Sequence, residues 1–201
     1  MAVLPSLATV ADLATSLGRT FTPAEETQAQ ALLDQASAVV RAYMRQDITE
    51  ATTTDTFTMR RPDLPYGCGG EVTLPQRPLQ AVTEVRVDGV VTGDWWLDGD
   101  RLLLSAQPWA WPPDAHQPPQ VQVTYTHGWD PVPGDITAIV MQAVNRALVN
   151  PGQVRSETVG GESTTYLIPT SGEALGVLLS RTEMRVLDRY RRTSGSVRVR
   201  S

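Results

Sequence analysis

Two spacings of apolar residues divide the chain. Up to about residue 45, and again after Pro131, apolar positions recur every three or four residues; between these stretches they alternate or come in short runs. The first spacing stacks side chains on one face of a helix, the second on one face of a strand. In VADLATSLG, Val10, Leu13, Ala14 and Leu17 share a helical face, with Thr9 as N-cap and Gly18 as the stop. In TFTPAEETQAQALLDQASAVVRAYM, Thr22 takes the cap, Pro23 the first helical position and Glu25 the place three after the cap. That is a capping box with the expected proline asymmetry. Phe21, just before the cap, stands where a hydrophobic staple belongs. Ala29, Leu32, Leu33, Ala36, Val39, Val40 and Tyr43 form the stripe, and the helix is predicted over about 23–45.

After Pro131, Pro133 and Asp135, the segment ITAIVMQAVNRALVN carries Ile136, Ile139, Val140, Ala143, Val144 and Ala147 on one face and stops before Pro151-Gly152. The last helix has its own capping box, Ser180 with Glu183 three on, followed by Met184, Leu187, Asp188 and Tyr190. It is predicted to end near Arg192. Strand pairing is expected around Ser163–Ile168, in the polar stretch between these helices.

The middle reads as strands. TTTDTFTMR alternates weakly, EVTLP is short, and RPLQAVTEVRVDGVV turns at Asp88-Gly89 with Val82, Val85 and Val87 as apolar positions. GDWWLDGDRLLLS is a hairpin turning at Asp98-Gly99-Asp100. VQVTYTHGW alternates cleanly, Val121, Val123 and Tyr125 one way and Gln122, Thr124 and Thr126 the other. Such short strands with tight turns predict a compact antiparallel sheet or small sandwich. The fold class is therefore α+β: a bundle of about four helices with an antiparallel β-rich subdomain inserted between helices 2 and 3. The divisions run 1–48 for the first half of the bundle, 49–130 for the β insert, 131–192 for the second half and 193–201 for a basic tail.

Composition narrows the function. An apolar fraction of 41% over 201 residues supports a packed core. No apolar run approaches the length of a membrane span, and MAVLPSLATVADL lacks the basic and apolar regions of a signal peptide. Cys68 is the single cysteine, so no internal disulfide or cysteine cluster arises. His116 and His127 have no patterned partner, and HExxH spacing is absent. YGCGGE and TVGGES are glycine-bearing without a phosphate-loop pattern, and no GxSxG elbow occurs for Ser163 or Ser171 to occupy with His127. Asp94, Asp98 and Asp100 lack the closing glutamate of a calcium loop and fit hairpin turns. No catalytic residue, cofactor or metal site is expected, and the chain does not read as an enzyme.

Charge and tryptophan placement carry more. All basic residues are arginine. Residues 181–201 hold seven arginines against two acids, whereas residues 1–180 hold ten against twenty. An acidic body with one basic end can meet another copy of itself or different partners at its two poles. Adjacent Trp95 and Trp96 must face opposite ways in a strand, one toward a core and one exposed or in an interface. Trp109 and Trp111 lie in a proline-rich loop, where core packing and an interface loop are both open readings, and an aromatic sugar platform is a third. The arginine tail can be a solvated end, a phosphate contact or a docking peptide. The acidic body opposes the second reading. The alternation of Ser196, Val197, Arg198, Val199 and Arg200 favours the third, an edge strand added to another subunit.

The segments ATVADLATSLGRTFTPAEETQAQALLDQASAVVRAY, VTLPQRPLQAVTEVRVDG, VTYTHGWDPVPGDITAIVMQAVNRALVNP with VRSETVGGESTTY, and LSRTEMRVLDRYRR with SVRVR cover most of the chain. In order and spacing they resemble the head–tail adaptor (head–tail connector) proteins of siphovirus-type phages, in an actinobacteriophage-like version. The resemblance implies a structural virion protein of the neck, assembled in the host cytoplasm. It would form a homo-oligomeric ring, commonly a dodecamer, between the portal protein and the stopper or tail-completion protein. Double-stranded DNA would pass through transiently without specific binding, and no membrane is involved. The resemblance makes Arg189, Tyr190, Arg191, Arg192, Val197, Arg198, Val199 and Arg200 the portal-docking end. It places the stretch from Val154 to Tyr166, with Arg155, Glu157 and Glu162, near the channel or the neighbouring subunit. The alternatives are a stopper or tail-completion protein of the same neck, or a module whose tryptophan loop binds a carbohydrate or peptide.

Overall fold

Every capping box read from the sequence starts a helix. In the computed structural model, which describes residues 4–59, 70–105, 119–149, 156–159, 162–165 and 177–191, α1 spans Val10–Leu17, α2 Pro23–Met44, α3 Gly134–Val149 and α4 Arg181–Leu187. The chain divides into two units, Met1–Gln46 with Val132–Ser201, and Asp47–Pro131. The helices belong to the first unit and the inserted strands to the second.

In the first unit, Thr9 caps α1 in a reciprocal box with Asp12, and Gly18 closes the helix at φ 64°, a left-handed conformation that suits glycine. At the head of α2 the Glu25 carboxylate accepts the Thr22 N–H at 2.8 Å and an Arg19 nitrogen at 2.7 Å. The Thr22 backbone donor and the Arg19 guanidinium bring its pKa down to about 2. The staple expected of Phe21 does not close, because Glu26 occupies the fourth helical position; instead the Arg19 guanidinium lies 4.6 Å over the Phe21 ring. Ala29, Leu33, Ala36, Val40 and Met44 are buried along α2, and Ile136, Ile139, Val140 and Val144 along α3, its main packing partner. Each large side chain so buried contributes roughly 1.5–3 kcal/mol. Ser37 joins this stripe because it is satisfied locally: its hydroxyl donates to the Leu33 carbonyl at 2.6 Å and accepts the Leu7 N–H at 2.9 Å. The final helix is shorter than expected, ending at Leu187 with a turn through Tyr190. Before it, β8 (Ser156–Val159) pairs antiparallel with β9 (Glu162–Thr165), which recovers the start of the pairing expected at Ser163–Ile168; residues 166–168 lie outside the described residues.

The second unit holds β1 (Ala51–Thr58), β2 (Glu71–Thr73), β3 (Leu79–Val87), β4 (Val90–Val91), β5 (Trp95–Asp98), β6 (Arg101–Leu104) and β7 (Gln120–His127). They form one sheet of order β1-β7-β3-β4 and another of order β2-β6-β5. The alternation places Val85, Val121, Val123 and Tyr125 of the first sheet in a common core with Val72, Leu102 and Leu104 of the second, the small sandwich expected. Trp95 packs on this core and Trp96 faces out, 53% exposed, so the adjacent tryptophans part as their alternation requires.

The edge strand β1 is regular over its whole length. Its register against β7 runs unbroken from Ala51–His127 to Thr58–Gln120, whereas β3 shifts register against β7 twice. The Met59 N–H donates to Pro119 O, its direct partner in the same register. Antiparallel ladders alternate. The backbone groups of Phe57, Asp55, Thr53 and Ala51 therefore point toward β7, and those of Thr58, Thr56, Thr54 and Thr52 point away from the sheet.

Candidate docking site at the foot of the last helix

The chain leaves α4 through three residues that are bound to their own unit. The Tyr190 hydroxyl lies 3.0 and 2.9 Å from the two carboxylate oxygens of Asp135, in the first turn of α3, and the Tyr190 carbonyl accepts the Gln46 side-chain amide at 2.5 Å. Burial, then the bond to Asp135 and its charge, raise the Tyr190 pKa, keeping the phenol a donor. Arg189 pairs with Asp135 at 3.1 Å and lies 5.3 Å from the Tyr190 ring centre. Arg191 lies 5.0 Å over the Tyr43 ring, while the Tyr43 hydroxyl donates to Asp188 at 2.5 Å. That bond is the first cause of the raised Tyr43 pKa. Asp135 sits at the positive end of the α3 dipole, a favourable place for a carboxylate.

The helix above this foot is held by a second contact. Glu183, buried, serves the Ser180 capping box and also binds Arg146 of α3 through two bonds of 2.7 and 2.9 Å. Arg146 reaches the Leu178 carbonyl as well, at 2.9 Å. Burial opposes ionisation of Glu183, but the Arg146 guanidinium and the Ser180 backbone donor outweigh it and hold the carboxyl below its usual range. The resulting foot is tied to α2 and α3 and carries two exposed arginines, Arg189 and Arg191.

Of the residues expected at a docking end, Arg189, Tyr190 and Arg191 are thus brought together on this foot; Arg192, Val197, Arg198, Val199 and Arg200 lie outside the described residues. Glu157 lies in β8 and Glu162 in β9, joined by Gly160-Gly161 between the strands; Arg155, Trp109, Trp111, Cys68 and His116 lie outside the described residues. Tyr43, Gln46 and Asp135 were missed as partners of the foot. Tyr43 lies 145 positions from Asp188, and Gln46 and Asp135 lie 144 and 55 from Tyr190, so no local spacing signals these contacts. His127 is fully buried in β7, sharing a 3.0 Å hydrogen bond with Thr53 through Nε2, while Nδ1 has no hydrogen-bond partner among the described residues. Burial lowers its pKa against the opposing pull of Asp47 and Asp55, which favours the neutral imidazole. Asp100 is engaged by Arg77, and among the described residues no three potential metal ligands cluster.

The sequence matches no family model and no curated protein. Its fold does have counterparts among solved structures. A chain of the neck of an empty gene transfer agent particle, computed with C6 symmetry, is 20% identical, with 98% of this chain and 96% of that one covered at a TM-score of 0.56. A chain of the virion of a native gene transfer agent particle is 19% identical, with 98% and 95% covered at a TM-score of 0.58. At this identity the likeness is one of fold, and it extends through both units of the chain.

Proposed function

We propose that this protein is a structural component of a phage-type virion neck, a head-to-tail adaptor that forms a ring between portal and stopper or tail and extends the DNA channel. The observation that carries this reading is the match, over nearly all of both chains, to a chain in the neck of a gene transfer agent particle. The six-fold symmetry of that particle admits a ring of about twelve copies, since closed rings repeat one heterologous contact around an axis. The charge distribution is of the kind a channel needs. An acidic body repels phosphate and lets double-stranded DNA pass without holding it. Arg189, Tyr190, Arg191 and Arg192, on and beside the anchored foot of α4, make the portal contact, and the segment Val197–Arg200 beyond them serves as an edge strand added to another subunit. Arg155, Glu157 and Glu162 border the channel or the neighbouring copy.

The reading is tested in a host that produces the particles, by deleting the gene for this chain. DNA-filled heads and separate tails are the expected products. Normal yields of joined particles contradict a role in the neck.

A further inference from the structure

We propose that β1 of one copy receives the segment Ser196–Ser201 of a second copy as an added strand. The inference rests on the ring reading and names the contact that would link successive copies.

The acceptor is a sheet edge with few of the usual guards; its one charge, Asp55, accepts from the Tyr125 hydroxyl at 2.7 Å. Natural edge strands are kept from pairing by bulges, prolines, basic side chains or brevity. β1 has eight residues in unbroken register, no proline and no basic residue. Its outward backbone groups, on Thr52, Thr54, Thr56 and Thr58, have no hydrogen-bond partner among the described residues. The opposite edge of the same sheet differs: β3 is bulged, and the two-residue β4 covers its end. An open row of alternating donors and acceptors specifies its ligand, an extended peptide.

Charge and length point to one such peptide. From Asp47 to Thr58 the chain carries Asp47, Glu50 and Asp55 and no base. The segment Ser196–Ser201 alternates valine with arginine and carries no acid. Strand alternation sets both arginines on one face and both valines on the other. With Arg198 and Arg200 on the Asp55 side, Val197 and Val199 lie beside the methyl groups of Thr54 and Thr56, a favourable β-branched pairing. Ten residues, 192–201, follow Arg191, and the first four, Arg-Thr-Ser-Gly, form a leader. Extended, ten residues span roughly 33 Å, enough to pass from an anchored foot to another molecule. Tail on one copy and edge on the next make a heterologous contact, the type that closes rings.

The test uses the full chain. A Thr54→Cys, Val199→Cys, Cys68→Ser variant is treated with a short bismaleimide, and the masses of the products are read. A ladder of linked copies is expected; bridging within single chains only, or none, overturns the proposal. Thr56→Pro removes one outward N–H while leaving the bonds to β7, because proline is tolerated on an edge strand. It should weaken self-association about tenfold or more, and Asp55→Asn should weaken it less. Oligomers as strong in Thr56→Pro as in the parent chain overturn the strand contact while leaving the ring reading standing. Absence of any oligomer from the parent chain, with or without portal, removes both.

Discussion

The hydroxyl of Tyr190 meets both carboxylate oxygens of Asp135, 55 positions earlier in the chain, at 3.0 and 2.9 Å. One proton on the tyrosine thus ties the foot of α4 to the head of α3. Removing it by Tyr190→Phe leaves the ring in place and Asp135 with one donor fewer. The expected loss is about 1 kcal/mol, below the usual range for a bond to a charged acceptor, because the site is partly exposed. Urea unfolding gives the global figure, and amide exchange over 184–191 should quicken more than exchange in α2.

Arg146 and Glu183 make a second tie between α3 and α4. Glu183 is buried and holds Arg146 with two bonds while it closes the Ser180 capping box. Glu183→Gln should cost about 2 kcal/mol, below the range for breaking a fully buried pair because Arg146 is partly exposed. Arg146→Met, which removes the cation and leaves Glu183 buried, should cost at least as much.

Stability should respond to acid in two ranges. His127 takes a proton near its usual 6.5 in the unfolded chain and only at lower pH in the folded one. Its contribution is therefore complete above about pH 6.5 and declines as pH falls through that range. Glu183 has its folded pKa below the usual 4.5, so its contribution is present above that value and lost as pH falls through the folded pKa. Denaturation midpoints measured from pH 7.5 to 3 should fall in two stages. His127→Gln should flatten the first stage and spare the second; an unchanged slope between pH 6.5 and 5 contradicts the assignment.

Gly128 sits where only glycine fits. Its φ is 92°, and a Cβ added there would lie 2.3 Å from the Thr49 carbonyl oxygen. The approach is fixed by Trp129, whose N–H donates to Ile48 and whose carbonyl accepts from Glu50. Gly128→Ala should cost roughly 3 kcal/mol or more, because both the dihedral and the contact are unfavourable. A thermal midpoint within a degree or two of the parent chain would contradict this.

What the sequence disclosed followed the range of the interaction. Capping boxes at Thr22–Glu25 and Ser180–Glu183 need residues three apart, and both were legible. The same holds for the Val121, Val123 and Tyr125 alternation and for the opposite facing of Trp95 and Trp96. The end of α4 was misplaced because Asp188 and Tyr190 look helical in spacing. Their side chains are instead taken by Tyr43 and Asp135 from distant elements. The burial of Ser37 has no signal in the sequence, because the bond to the Leu33 carbonyl that satisfies its hydroxyl forms only in the folded helix. The foot of α4 is visible in the sequence as a charge excess, but its distant acid partner Asp135 is not. The openness of the β1 edge depends on sheet order, which alternation cannot supply.

The central claim, a ring in a virion neck, is tested most directly by native mass measurement of the full chain alone and mixed with its portal. The account predicts monomers or weak oligomers alone and a discrete ring of about twelve copies on the portal. A chain that stays monomeric at every concentration and ignores the portal would contradict it.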